Sequence, residues 1–122
     1  MARILVIDDD VKFRQIVAKI LVADGHEVAE AGNGRLGLKA LATNRPFDLI
    51  ITDIIMPDME GIETIRNVLG ALPTMKIIAM SGSGEYAPAF LDIAKKFGVK
   101  TTLSKPFGAS HLRHMVAETL RG

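Results

Sequence analysis

The stretch Ile4-Leu5-Val6-Ile7-Asp8-Asp9-Asp10 runs from four apolar residues straight into three acids. Four consecutive apolar side chains do not alternate with polar ones, so a strand made from them hides both of its faces. Strands of that kind belong to parallel sheets covered on two sides. Asp48–Thr52 and Lys76–Met80 repeat the pattern, and Lys100–Ser104 and Glu27–Ala29 complete a set of five. Glu27–Ala29 is the weakest of these and rests partly on its spacing.

Helical periodicity fills the intervals. Phe13, Ile16, Val17, Ile20 and Leu21 share one face, with Lys12, Gln15 and Lys19 opposite and Gly25 as a left-handed stop. Leu38, Leu41 and Ala42 form a second stripe, closed by Asn44-Arg45-Pro46. Ile62, Ile65, Leu69 and Leu72 form a third before Pro73, and Phe90, Leu91, Ala94 and Phe97 a fourth before Gly98. Leu112, Met115, Val116 and Leu120 form the fifth. Stripes at this spacing are read as core. The result is a βα unit repeated five times, an α/β fold with an open parallel sheet and helices on both faces. Barrel closure needs eight units.

Composition narrows the function. The chain has 122 residues, enough for one domain. It has no cysteine, which removes disulfides, thiol nucleophiles and thiolate metal sites. A net charge of +1 argues against a protein that coats nucleic acid. No apolar run approaches the roughly 18 residues of a membrane span, and only Met1-Ala2-Arg3 precedes the first strand. The expectation is a soluble cytoplasmic domain.

Ligands of open α/β sheets bind beyond the carboxyl ends of the strands. Asp8, Asp9 and Asp10 follow the first strand, Asp53 the third, Ser81 the fourth and Lys105 the fifth. Singly, Asp10 reads as a helix cap, Asp53 as a cap of the next turn and Lys105 as a solvated side chain. Together they put polar groups on one edge at four of the five strand ends. Two carboxylates about 4 Å apart repel by roughly 4 kcal/mol at an effective dielectric near 20. Asp8, Asp9 and Asp53 therefore call for a cation or a raised pKa. Oxygen ligands without His or Cys suit magnesium. A carboxylate, a divalent cation, a lysine and a hydroxyl around one point suit phosphoryl transfer.

These residues resemble the receiver domain of two-component response regulators. The likeness runs from Ile4 to about Leu120. It is carried by Ile4 to Asp10, by Thr52-Asp53-Ile54-Ile55-Met56-Pro57-Asp58-Met59-Glu60-Gly61, by Ala79-Met80-Ser81-Gly82, and by Leu103-Ser104-Lys105-Pro106-Phe107. The resemblance implies a flavodoxin-like sheet of order 2-1-3-4-5, a single receiver domain over 1–122 with no output domain, and a cis Lys105–Pro106 bond. It implies Asp53 as phosphoacceptor and Asp8 and Asp9 as the acidic pair for magnesium (manganese as a substitute), Asp9 directly and Asp8 largely through water. It further implies Asp53 and the main-chain carbonyl of Ile55 as metal ligands, Ser81 as switch hydroxyl and Lys105 as the pairing lysine.

The implied partners are a sensor histidine kinase or histidine phosphotransfer protein and a downstream protein target, with no direct role for nucleic acid or membrane. The chain would catalyse only its own modification and would not be a turnover enzyme. The fourth helix, fifth strand and fifth helix form the surface receivers commonly use for partners, where Phe90, Tyr86 and Met115 could contribute. Gly82 leaves the site open to a donor, and Pro57 and Gly61 frame the loop after Asp53, for which turn chemistry is an equal explanation.

Two positions depart from the family. Thr102 stands where an aromatic is usual, and Ile55 stands where many members carry a polar side chain. Two alternatives compete. One is a haloacid-dehalogenase-type phosphohydrolase with Asp8 as nucleophile and Asp10 as general acid, although only Glu118 is acidic beyond Lys105. The other is a receiver fold used as a phosphorylation-independent docking module. His111 and His114 share a helix face but lack further ligands, and His26, Lys95, Lys96 and Arg113 are expected at the surface. Ser81-Gly82-Ser83-Gly84 lacks the Gly-Lys-Ser/Thr end of a nucleotide-binding loop.

Overall fold

Successive side chains of a strand point to opposite faces. The first strand, β1 (Arg3–Ile7), sends Ile4 and Val6 into one apolar layer and Leu5 and Ile7 into the other. The computed structural model describes residues 1–43, 45–56, 61–82 and 87–122. After β1 come α1 (Val11–Ala23), β2 (Glu27–Ala31), α2 (Gly34–Leu41), β3 (Leu49–Asp53) and α3 (Gly61–Ala71). The chain continues through β4 (Ile77–Ser81), α4 (Ala87–Lys96), β5 (Thr101–Ser104) and α5 (Ala109–Arg121). All strands pair in parallel, in the order β2-β1-β3-β4-β5, the expected flavodoxin-like arrangement.

One layer joins Ile4, Val6, Leu49, Ile51, Ile78 and Met80 to Val17 and Leu21 of α1 and Leu112 and Val116 of α5. The opposite layer joins Leu5, Ile7, Ile50 and Ala79 to Ile65 and Val68 of α3 and Leu91 and Ala94 of α4, with Leu38 of α2 beside them. The strands that read as continuously apolar, β1, β3 and β4, are the three inner ones. The weak β2 lies at an edge, where only Ala31 is fully buried.

The helix starts and stops follow local chemistry. Asp10 caps α1, its Oδ1 accepting the Phe13 N–H at 3.1 Å, and Asn33 caps α2 through the Leu36 N–H at 2.9 Å. Gly25 (φ 94°) and Gly98 (φ 111°) adopt the left-handed conformation just past α1 and α4. Asn44, part of the expected stop after α2, lies outside the described residues.

Some expected core residues are at the surface. Ile16 is 54% exposed, because the buried arc of α1 is Val17, Ala18 and Leu21, one step round the helix. Leu72 lies just beyond α3 and Phe97 just beyond α4, and both are exposed. His26, expected at the surface, is half-buried. The Gly25 turn tucks it under β1, where its Nδ1 accepts the Ala2 N–H at 3.1 Å.

Gly61 opens α3 directly on the end of β3. Its N–H donates to the Ile54 carbonyl at 3.2 Å. A Cβ at this position would land on the Asp53 carbonyl oxygen and the Ile54 Cα, which are main-chain atoms and cannot rotate away. The glycine is required by close approach, and turn chemistry is not its whole role. Gly70 of the same helix has open space around it. Gly61→Ala is therefore expected to lower unfolding free energy by about 2–3 kcal/mol, whereas Gly70→Ala is expected to raise it by about 0.5 kcal/mol. Urea denaturation of the two variants checks the opposite signs.

Candidate functional site

Strand register decides which side chains meet. Ile7 of β1 lies opposite Thr52 of β3, so the next residues, Asp8 and Asp53, leave the sheet side by side. Asp53 pairs with Met80 and Ser81 with Ser104, so Ser81 and Lys105 emerge beside them. The Lys105 N–H donates to the Ser81 carbonyl at 2.7 Å, which carries the β4–β5 ladder one residue past the strand. The Lys105–Pro106 bond is cis, as the resemblance implied.

The Lys105 Nζ donates to Asp8 Oδ2 at 2.6 Å and to Asp53 Oδ2 at 3.0 Å. Asp8 has no exposed surface and Asp53 is 6% exposed, while Asp9 is open to solvent. The remaining carboxylate oxygens are held by the main chain. Asp8 Oδ1 accepts the Asp10 N–H at 3.0 Å, and Asp53 Oδ1 accepts the Ile55 N–H at 3.1 Å. Burial pushes the Asp53 carboxyl above its ordinary value, and the Asp8 charge adds to this. The Lys105 ammonium and the Ile55 N–H pull the other way without cancelling it. Burial by itself would push Lys105 down, but its hydrogen bonds to Asp8 and Asp53 outweigh that and hold it above its ordinary value.

One carboxylate oxygen each from Asp8, Asp9 and Asp53 lie within 4.8 Å of one another. Three carboxylates against one ammonium leave two formal negative charges at this point. The donors are all oxygen and the deficit is that of a divalent ion, so the residues present fit a hard cation such as magnesium. Among the described residues no other cluster of acids and histidines meets this spacing. His111 and His114 are exposed on α5.

Ser81 is buried, and its hydroxyl lies 3.4 Å from the Gly82 carbonyl. Ile55 is 49% exposed at the mouth. A Cβ at Gly82 would meet nothing within 4 Å. Thr102 is half-buried on β5, opposite Ala79. Asp10, with its carboxylate on the Phe13 N–H, serves as a cap. Pro57, Asp58, Met59 and Glu60, and Ser83, Gly84 and Tyr86, lie outside the described residues. Lys95, Lys96 and Arg113 are exposed, as expected. A cavity of about 510 Å³ bounded by Met1, Phe47, Met75 and Leu120 lies at the amino ends of the strands and contains none of the site groups. No described helix is long and apolar enough to cross a membrane.

Two supports of the site are not evident from the sequence. Arg14 donates from Nη1 to the Asp8 carbonyl at 2.9 Å and from Nε to Glu30 at 2.9 Å, tying the acidic loop to β2. Its position one turn after the acidic run is the only signal. Phe13, read as core, puts its ring 4.3 Å from Lys105 Nζ.

The electrostatics carry a sign. Because the folded-state pKa of Asp53 is raised, its contribution to stability is present below its ordinary value near 3.8 and is lost as pH rises through the folded value. Asp53→Asn keeps the neutral form at every pH. It is expected to stabilise the fold at pH 7, with the gain vanishing toward pH 3. Lys105→Met leaves the buried carboxylates unpaired and is expected to destabilise by about 3 kcal/mol at pH 7. Chemical denaturation at the two pH values measures both.

Comparisons with known proteins agree with this geometry. The family model described as "Response regulator receiver domain" matches residues 4–117. The chemotaxis protein CheY of Thermotoga maritima is 36% identical over 111 residues, covering 90% of each chain. A response regulator receiver domain protein from Clostridium thermocellum superposes with a TM-score of 0.88 at 33% identity, over 99% of this chain and 95% of that one. NtrX of Brucella abortus gives a TM-score of 0.92 at 29% identity, over 98% of this chain but 27% of its own. The chain thus spans nearly all of some relatives and about a quarter of a longer one. It belongs to the response regulator receiver domain family of two-component signalling.

Proposed function

We propose that the chain is a phosphoacceptor switch that takes a phosphoryl group on Asp53 from a phosphohistidine of a sensor kinase or phosphotransfer protein. The observation that carries this reading is the convergence of Lys105 on Asp8 and Asp53 at 2.6 and 3.0 Å, beside the exposed Asp9. Asp53 is only 6% exposed but stands beside the exposed Asp9 and Ile55, the side from which a donor would approach its carboxylate. In the transfer, that oxygen forms a bond to phosphorus while the bond from phosphorus to the donor imidazole nitrogen breaks, and the bonding pair leaves with the imidazole.

Lys105 offers a positive charge to the transferring oxygens. Ser81 supplies a hydroxyl that can donate to one of them after leaving the Gly82 carbonyl, which couples modification to a change at the end of β4. Asp8, Asp9 and Asp53, with the main-chain carbonyl of Ile55, would hold magnesium. Magnesium, when bound, neutralises charge on the phosphoryl oxygens. The chain modifies itself and does not turn over substrate. A cytoplasmic location fits a kinase donor and the lack of a membrane-spanning helix among the described residues.

The phosphohydrolase reading needs Asp8 free as nucleophile and Asp10 free as acid. Asp8 is fully buried on Lys105, and Asp10 caps α1. The docking-module reading explains neither the buried acid pair nor its lysine.

Intact mass with a small acyl phosphate and magnesium should show a single added phosphoryl group, mapped to Asp53 and lost in Asp53→Asn. Modification of Asp8, or labelling that survives Asp53→Asn, overturns the proposal. Ile55 is exposed and apolar beside the acceptor, so it cannot orient an attacking water. The acyl phosphate should outlive that of Ile55→Asn severalfold, and a decay time course of the two proteins decides it.

A further inference from the structure

We propose that Phe13 is a positioning residue for Lys105, its ring face holding the ammonium at the mouth when a divalent cation takes over the Asp8 and Asp53 carboxylates. This rests on the phosphoacceptor reading of the site. The Lys105 Nζ lies 4.3 Å from the Phe13 ring centroid while it also contacts both carboxylates. The Phe13 main-chain N–H is bound by the Asp10 side chain, which fixes the residue at the start of α1, and the Phe107 ring packs against the Phe13 ring in a T-shaped pair, centroids 5.4 Å apart and interplanar angle 83°. Phe107 lies two residues after Lys105, so the lysine and the ring that packs on Phe13 come from one segment.

A cation bound among Asp8, Asp9 and Asp53 competes with the ammonium for the same oxygens and repels it. An ammonium with no other partner would swing into solvent on its four-carbon stem. The negative face of an aromatic ring attracts it independently of the carboxylates and is unaffected by their loss. The ring therefore has two opposite effects. It keeps the ammonium where a phosphoryl oxygen will arrive, and it keeps a competing positive charge beside the metal position. Packing alone has neither consequence, because a leucine would fill the same place against the apolar layer and Phe107.

The test compares wild type, Phe13→Leu and Phe13→Tyr. In metal-free protein, the Lys105 ε-methylene protons should resonate upfield in wild type and in Phe13→Tyr, and return to ordinary shifts in Phe13→Leu. Titration with magnesium alone should show binding tightened about two- to fivefold in Phe13→Leu. Labelling by a small acyl phosphate at saturating magnesium should slow by about three- to tenfold in the same variant. Phe13→Tyr should restore both. A Phe13→Leu protein in which affinity and rate fall together, or in which neither changes, overturns the proposal, as does an unshifted Lys105 methylene in wild type. Failure of wild type to label at all counts against the phosphoacceptor reading, and the resonance and magnesium measurements still decide the role of Phe13.

Discussion

One ammonium between two buried carboxylates is the constraint on which the rest of the structure depends. Asp8 and Asp53 leave adjacent strands at the same level, and neither can be surrounded by water. Without Lys105 their repulsion would push the carboxyl end of the sheet apart or force a proton onto one of them. With it, the cluster keeps a formal deficit of two positive charges, and the exposed Asp9 keeps that deficit open to solvent. A site that is strained when empty is matched to a ligand that supplies charge. That is a direct physical reason for a protein to retain buried acids at some cost in stability.

The fold supplies the positions. A parallel sheet directs every strand end to one edge, so residues as far apart in sequence as Asp8 and Lys105 become neighbours through register alone. The two apolar layers hold that register, because a slip of one residue would exchange the faces of Ile4 and Leu5. Local devices then refine the placement. Gly61 lets α3 begin against the Asp53 main chain, Arg14 ties the acidic loop to Glu30, and Phe13 and Phe107 stand against the lysine.

Much of this was legible in the residues themselves. Ile4–Ile7 reads as a strand buried on both faces and is one, and the polar residues directly ending the apolar runs mark the edge on which Asp8, Asp9, Asp53 and Lys105 converge. The acidic residues, Ser81 and Lys105 could be read because strand ends fix direction. Long side chains on helices were less legible. Periodicity gave Ile16 to the core, yet it lies one step beyond the buried arc of α1. His26 reads as a surface residue because it follows a helix-stop glycine, and nothing local announces that the turn folds it against Ala2. Phe13 has the spacing of a core residue and a ring that also serves the site. Spacing records which face of a helix a residue occupies and carries no information on what lies at the end of that face. Gly61 reads as a turn residue for the same reason, since its close approach to the Asp53 and Ile54 main chain leaves no mark in the residue pattern.

The most direct test of the central claim is a magnesium titration followed through two backbone amides. The Asp10 N–H reports on Asp8, and the Ile55 N–H reports on Asp53. If these carboxylates form one site, both resonances move and saturate together with a single dissociation constant. Two unrelated constants, or an Ile55 resonance that stays fixed while Asp10 moves, would contradict it.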